Sequence, residues 1–519
     1  MTGGQDTPTP GPPDSELPLG SVSGDEKGGS LTSRTLRNFL WMSGGNGAEA
    51  VFKILVLTIL ARLLLPGEFG FVSAALTVVA LAEVTGRIGV APALIQMQEL
   101  RREHIATGLV ATLASGFIVA AIVYAIAQPI ARLYRMPELV PFVQVFSLLF
   151  IIKGAGLVGE ALMQRAMRFR ELAIIQLSSY LFGYALVAVT MASLGFGAWA
   201  LVAGQLSQLT IQSASFLILT RRDLTVGFQW PVFRGLFRFG LGVTLTQIGG
   251  YLSQNGDYFI VGRWLGAEAL GFYSRAYLLL NQPAQLVGRA GDQVLFPALS
   301  QVQDDRKRVE RALNNALSLV AMTQVPLTVL LLVCAPEIIH LLMGPQWGPA
   351  VLPFQILVGV LFFRTAYKLV GAMLRATGKV YYMVLWQWSY AGMVLAGALL
   401  GQKVGIWGVA IGVSIAVMFC HLFALLLSWK VVGVSSLSSL RRLLSYTGLA
   451  LLAAIVLIAS RAGLAAIGLP GTASLLLLVA GFTASYAWLF FSHPRLFGAE
   501  GDILRDRILK ALHRKRGRS

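Results

Sequence analysis

Apolar runs of bilayer length recur along almost the whole chain. A helix needs roughly 20 mostly apolar residues to cross a membrane. Such runs fall at about 39–61, 69–93, 105–127, 139–162, 171–191, 197–219, 239–262, 272–296, 313–335, 350–373, 380–400, 405–428, 444–460 and 472–490. The run at 444–460 is the weakest, being short and followed by Arg461. Lipid offers no water to unpaired backbone groups, so each run must satisfy its own hydrogen bonds as a helix. The expected fold is therefore an all-α polytopic membrane protein with about 14 transmembrane helices. Composition agrees: 56 % of residues are hydrophobic, 13 % are charged, and mean hydropathy is +0.69. Soluble domains do not have this balance.

The charges test the count. There are 42 Lys and Arg against 24 Asp and Glu, a net charge of +18. With the N-terminus inside and strict alternation, 29 of the basic residues fall in inside segments and 6 in outside segments. A miscount in the middle would invert the bias beyond it, so both ends are expected in the cytoplasm. Residues 1–30, rich in Gly, Pro and Ser, are expected to be a disordered tail without the pattern of a cleaved signal peptide. Residues 493–519 form a basic cytoplasmic tail, most simply a membrane-surface signal. No reading module accompanies it, so nucleic acid is a poor partner. Cys334 and Cys420 both lie in apolar runs and read as packing residues.

One phrase occurs twice. ARLLLPGEFGFVSAA (Ala61–Ala75) is echoed by GRWLGAEALGFYSRA (Gly262–Ala276) at an offset of 201. PALIQMQE (Pro92–Glu99) is echoed by PALSQVQD (Pro297–Asp304) in the same order. Spans 1–6 (residues 31–220) and 7–12 (residues 221–430) thus read as two parallel copies of one six-helix unit around a central cleft. Residues 431–492 would add two extra helices. Two such halves are the plan of an alternating-access transporter.

Other classes fit less well. There is no GxxxxGK[ST] phosphate loop and no His/Cys/Glu group with metal-ligand spacing. The longest outside loop, around Ala335–Pro349, is too small to hold a polysaccharide polymerase or ligase site. No enzyme activity, cofactor or metal is expected.

Seven bases lie within the apolar runs: Lys53, Arg87, Lys153, Arg275, Arg289, Arg364 and Lys368. Charge at that depth is expensive and marks a cavity or a partner. Glu49/Lys53, Glu83/Arg87 and Arg289/Asp292 have helical spacing and could be structural pairs. Arg364 and Lys368 share one helix with no carboxylate, and Lys153 has only Glu160 on its helix. Arg275, Gln282 and Arg289 form one stripe. A cationic cleft suits an anionic substrate and disfavours cationic drugs. Arg364, Lys368, Arg289, Arg275 and Lys153 are the leading path candidates, followed by Arg87 and Lys53. Gln387 and Trp388 lie deep enough to meet a sugar, although packing is their simpler role. Glu49, Glu83 and Asp257 are candidates for binding H+ or Na+.

The two copies of the phrase and the PALIQ segment resemble the Wzx-type polysaccharide flippases of the MOP exporter superfamily, in particular the lipopolysaccharide-biosynthesis branch. The resemblance covers about residues 31–490. It implies two six-helix lobes, often with two further helices. It also implies a substrate: a polyprenyl-pyrophosphate-linked oligosaccharide, moved from the cytoplasmic to the periplasmic leaflet of the bacterial inner membrane. Coupling to an H+ or Na+ gradient, and a polysaccharide polymerase or export partner, would fit the same picture. A peptidoglycan lipid-precursor flippase, a multidrug antiporter of the same superfamily and a non-transporting scaffold are the competing readings.

Overall fold

The structure is a computed structural model. It describes residues 51–86, 89–290, 299–303, 305–377, 380–433, 437–467 and 471–494, with residues 295, 502, 505 and 506. Glu49, Arg87 and Asp292 lie outside the described residues, as does the side chain of Arg289.

Every regular element among the described residues is a helix. The first half comprises α1 (51–63), α2 (Pro66–Gly86), α3 (Val90–Gln96), α4 (Arg102–Ala125), α5 (Ala127–Tyr134), α6 (Leu139–Phe146), α7 (Leu148–Arg165) and α8 (Phe169–Ser178). A π-helical segment, Ser179–Ala185, joins α8 to α9 (Leu186–Ser193), and α10 (Ala198–Thr220) follows. The second half starts with α11 (Trp230–Ala290), then α12 (Arg306–Val333), α13 (Ala335–Met343), α14 (Val351–Val358), α15 (Leu361–Ala376), α16 (Val380–Gly401) and α17 (Ile406–Leu427). Last come α18 (Leu437–Ala466) and α19 (Gly471–Ser492).

Nine helices among the described residues are long and apolar enough to cross a membrane, or ten if the pair Pro345–Val358 and Leu361–Ala376, bent by 47°, is one span. The fold is thus all-α and polytopic. The expected runs outside this set have identifiable reasons. The run at 39–61 begins outside the described residues. The run at 197–219 is the helix α10, but Gln205, Gln208 and Gln212 lower its apolarity. The runs at 239–262 and 272–296 are the two arms of α11. The arms meet at Gly266, whose φ of 90° and ψ of 178° suit only glycine. The weak run at 444–460 is inside the set, as Tyr446–Leu464 of a 30-residue helix. The stretch expected as an inside loop at 220–238 turns helical from Trp230.

A short helix precedes a long helical stretch in both halves. α5 precedes α6 and α7, which run on through Ser147 as one 27-residue span; α13 precedes α14 and α15, which are separated at Gly359–Val360. Neighbouring helices approach closely through small residues. Gly397 faces Gly412 and Gly401 faces Gly408, so α16 and α17 meet backbone to backbone.

Contacts also tie loops together at each end of the helices. Arg461 pairs with Glu337 at 2.6 Å, joining α18 to α13. Arg62 donates to the Leu341 carbonyl at 2.7 Å. At the opposite end, Arg165 donates to the carbonyls of Leu94, Ile95, Met97 and Gln98 where α3 runs out. One guanidinium thus satisfies carbonyls that the helix end leaves open, and it fixes the PALIQ segment in place.

Candidate functional site

A cavity of about 560 Å³ lies between the elements of the first half and the arms of α11. Lys53 of α1, Ser73 and Thr77 of α2, and Gln205 and Gln208 of α10 line one side. Tyr251, Asn255 and Tyr258 of the first arm, and Arg275, Asn281 and Gln282 of the second, line the other. The polar part of the wall is built from amides, hydroxyls and two bases, and leucines, Ala80 and Phe69 complete it. No carboxylate is among its described lining residues. The volume falls within the range of small-ligand pockets.

Local structure explains how these groups arrive. The π segment Ser179–Ala185 widens the helical turn and aims Tyr180 and Tyr184 into the cavity, with rings stacked at 5.4 Å. Gly183 lies against the backbone of Gln208, so α10 approaches closely and carries its two glutamines into the wall. Tyr251 donates to the Thr77 carbonyl at 2.7 Å and ties the first arm of α11 to α2.

The two bases sit on aromatic faces. Lys53 Nζ lies 5.8 Å from the Tyr180 ring centroid, and the Arg275 guanidinium 4.7 Å from that of Phe69. Both are cation–π contacts. Arg275 also reaches the Ser73 hydroxyl at 3.4 Å, and its Nε is buried with no hydrogen-bond partner among the described residues. A guanidinium with a spare donor, on a wall whose described residues include no acid, is suited to an anion.

The other path candidates lie elsewhere. Arg364 is 4 % exposed and does not line this cavity. Its guanidinium sits 4.2 Å from the Tyr277 ring centroid and donates to the Tyr277 hydroxyl. Asp257, fully buried, accepts from Tyr273 Oη at 2.7 Å and from the Tyr258 backbone N–H at 3.0 Å. Arg364 and Asp257 lie within electrostatic reach of each other. Arg364 Nη1 is itself buried with no hydrogen-bond partner among the described residues. Lys368 is half-buried one turn further along α15. Gln387 donates to Ser253 at 2.5 Å, and Trp388 lies against Gly249, so both join α16 to α11.

Lys153 pairs with Glu83 at 2.6 Å, joining α7 to α2. The lysine whose own helix offers only Glu160, two turns away, thus has its partner on another helix. The pair and Glu160 line a second cavity of about 240 Å³ within the first half. Lys153→Gln is expected to destabilise the protein by about 1–2 kcal/mol, discounted because the lysine is partly exposed. Glu83→Gln/Lys153→Gln should recover most of that loss. Thermal unfolding in detergent checks both values, and an additive double variant would contradict the pairing.

The helical fold, the charged cleft and the membrane-length spans together define a membrane transporter. The family model for "Polysaccharide biosynthesis protein" matches residues 59–352, and the chain belongs to that family, the polysaccharide flippases and exporters of the Wzx/MOP group. The chain is 26 % identical to the lipopolysaccharide biosynthesis protein WzxC of Escherichia coli K12 over 78 % of its own length and 81 % of that protein's. It is 30 % identical to the succinoglycan biosynthesis transport protein ExoT of Rhizobium meliloti over 60 % of its length and 63 % of that protein's. Among solved structures it resembles the lipid II flippase MurJ in an inward closed conformation, with a TM-score of 0.66 at 14 % identity, over 86 % of this chain and 98 % of that one. An inward-facing multidrug MATE transporter of the MOP superfamily matches with a TM-score of 0.53 at 17 % identity, over 78 % and 96 %. At such identities the structural matches establish the fold. Family membership makes the chain a transporter rather than an enzyme. Among the described residues, no group of three or more His, Cys, Asp or Glu is placed to hold a metal.

Proposed function

We propose that the protein flips a polyprenyl-pyrophosphate-linked oligosaccharide from the cytoplasmic to the periplasmic leaflet of a bacterial inner membrane, for O-antigen, capsule or exopolysaccharide synthesis. The observation that carries this reading is the Arg275 guanidinium on the cavity wall, whose Nε has no hydrogen-bond partner among the described residues. A pyrophosphate diester brings negative charge, which offsets the cost of burying such a base. The glycan would lie among the amides and tyrosines, and the polyprenyl chain would stay in lipid. No bond is made or broken.

In this reading residues 31–220 and 221–430 are parallel six-helix repeats, residues 431–492 add two helices, and the full count is about fourteen with both termini cytoplasmic. The offset of 201 supports it, as does a short helix, α5 or α13, ahead of a long helical stretch in each half. The loop contacts at each end support the alternation of sides. Energy would come from an H+ or Na+ gradient, with Glu83 or Asp257 as the group to test, or from removal of product by a polymerase partner. Proteoliposomes holding a fluorescent lipid-linked oligosaccharide test the reading directly. Lys53→Gln/Arg275→Gln should abolish transfer that the wild type supports, and undiminished transfer would overturn the cavity assignment.

A further inference from the structure

A second surface carries chemistry that the cavity does not use. Pro231 stands in the first turn of α11, where its missing N–H costs nothing. Trp230, Phe233 and Phe237 recur at helical spacing on one face of the first arm, and Arg234, one turn from Trp230, shares that face. Phe228 extends the row ahead of the helix. The rings follow in series, with centroids 6.3 Å apart from Phe228 to Trp230, 5.4 Å from Trp230 to Phe233 and 5.9 Å from Phe233 to Phe237. Trp230 is 64 % exposed, Phe228 49 % and Phe237 41 %, so the described helices leave the row open.

The chain ahead of the row holds it in place. After α10 it turns at Thr220, whose carbonyl accepts from the backbone N–H groups of Asp223 and Leu224. It then runs along the start of α4. Leu224 packs on the cluster of Val90, Leu94 and Ile105, Gly227 lies against Ala106, and the Gln229 N–H donates to the Thr107 hydroxyl at 3.1 Å. Arg221, Arg222 and Arg234 are exposed. Thr225 donates to the Arg102 carbonyl at 3.5 Å, which brings the exposed Arg102 to the same edge. The acids of this edge are Asp223 and Glu103, while Glu99 is taken up by Arg101 at 3.3 Å. Bases are therefore in excess among its described residues.

Depth decides the partner. From Trp230 to the elbow at Gly266 the first arm is about 54 Å long at 1.5 Å per residue. The hydrocarbon core is about 30 Å thick, and the whole bilayer about 40–45 Å. The apolar run at 239–262 fills the hydrocarbon, so the first two turns of α11 lie beyond it. An open row of aromatic rings is unfavourable in water, and guanidinium groups beside it are unfavourable in hydrocarbon. The headgroup layer suits both, and a guanidinium matches phosphate oxygens with two donors at once. We propose that the row from Phe228 to Phe237, with Arg221, Arg222 and Arg234, is a binding surface for the phosphates of anionic phospholipids. A lipid held there fixes the depth of the first arm, and with it Tyr251, Asn255 and Tyr258 of the cavity wall. The surface goes beyond the cargo reading and is testable without cargo.

The test follows thermal unfolding of the full-length protein in neutral detergent while phosphatidylglycerol, phosphatidylcholine or inorganic phosphate is added. Phosphatidylglycerol should raise the unfolding temperature saturably, and the other two should not. Arg222→Gln/Arg234→Gln should weaken the apparent affinity about tenfold or more, and Trp230→Ala should weaken it as well. Arg132→Gln/Arg135→Gln, at an exposed basic pair at the end of α5, should leave it unchanged. In proteoliposomes, mixing phosphatidylglycerol into phosphatidylcholine should raise transfer of lipid-linked oligosaccharide several-fold in the wild type and not in Arg222→Gln/Arg234→Gln. An equal shift with inorganic phosphate would overturn the lipid assignment in favour of a free anion. Equal weakening by Arg132→Gln/Arg135→Gln would reduce the surface to net charge. No preference for phosphatidylglycerol over phosphatidylcholine would overturn the proposal and leave the row to a protein partner. A selective shift without transfer in any vesicle would uphold the surface and count against the cargo reading alone.

Discussion

Arg275→Ala is expected to lower transport about tenfold to a hundredfold while the protein accumulates normally. The guanidinium is held by the Phe69 ring and by one long contact to Ser73, and its Nε has no partner among the described residues. Little of the fold depends on it, whereas an anion entering the cavity would meet its free donors. A hydrogen bond to a charged group contributes about 1.5–3 kcal/mol, which corresponds to that range of rates. Arg275→Lys should recover part of the loss, because the charge remains while the planar fork is gone. Initial rates of oligosaccharide transfer, normalised to protein in the membrane, check the prediction. A drop in abundance equal to the drop in rate would assign Arg275 a structural role.

Arg364→Ala should behave in the opposite way, with loss of the protein itself. Its side chain is buried against Tyr277, and it lies within electrostatic reach of the buried Asp257. Removing one side of a buried charge arrangement typically costs about 3–5 kcal/mol, because the other charge is left in low dielectric. That is a large share of ordinary stability. Asp257→Asn in the same chain should restore part of the abundance, since the amide keeps a hydrogen-bonding group for Tyr273 without the charge. Quantitative blots and unfolding curves for the single and double variants check this. Normal abundance with abolished transfer in Arg364→Ala would return Arg364 to the substrate path.

These two arginines mark the limit of what was legible in the sequence. Hydropathy and the sidedness of charge suffice for an all-helical membrane chain, because bilayer thickness dictates run length. The repeated phrase is legible because Gly70 and Gly271 lie against the backbones of Ala267 and Pro66, where few residue types fit. A buried base in an apolar run announces only that it needs a partner. Whether the partner is a ligand or a residue on a distant helix depends on packing between helices, which periodicity within one helix does not carry. Arg275 and Gln282 do share the cavity wall, as their spacing on one stripe suggested. Lys153, poorly matched along its own helix, pairs with Glu83 on another, and Arg364, bare along its own, meets Tyr277 and lies within electrostatic reach of Asp257. Tyr180 and Tyr184 were overlooked because they enter the cavity through a π turn, which shifts the helical register away from the 3.6-residue period. Gln205 and Gln208 did leave a signal, two amides three residues apart in an apolar run. That signal was absorbed into the count of spans.

The most direct measurement is leaflet-resolved accumulation of lipid-linked oligosaccharide in the native host. A strain lacking the protein would be compared with strains carrying the wild type or Lys53→Gln/Arg275→Gln. The account predicts that complete repeat units build up on the cytoplasmic face of the deletion strain. Wild type should clear them, and the double variant, present at normal abundance, should not. If units reach the periplasmic face of the deletion strain at the wild-type rate, the protein is not their flippase, and the cavity serves some other cargo.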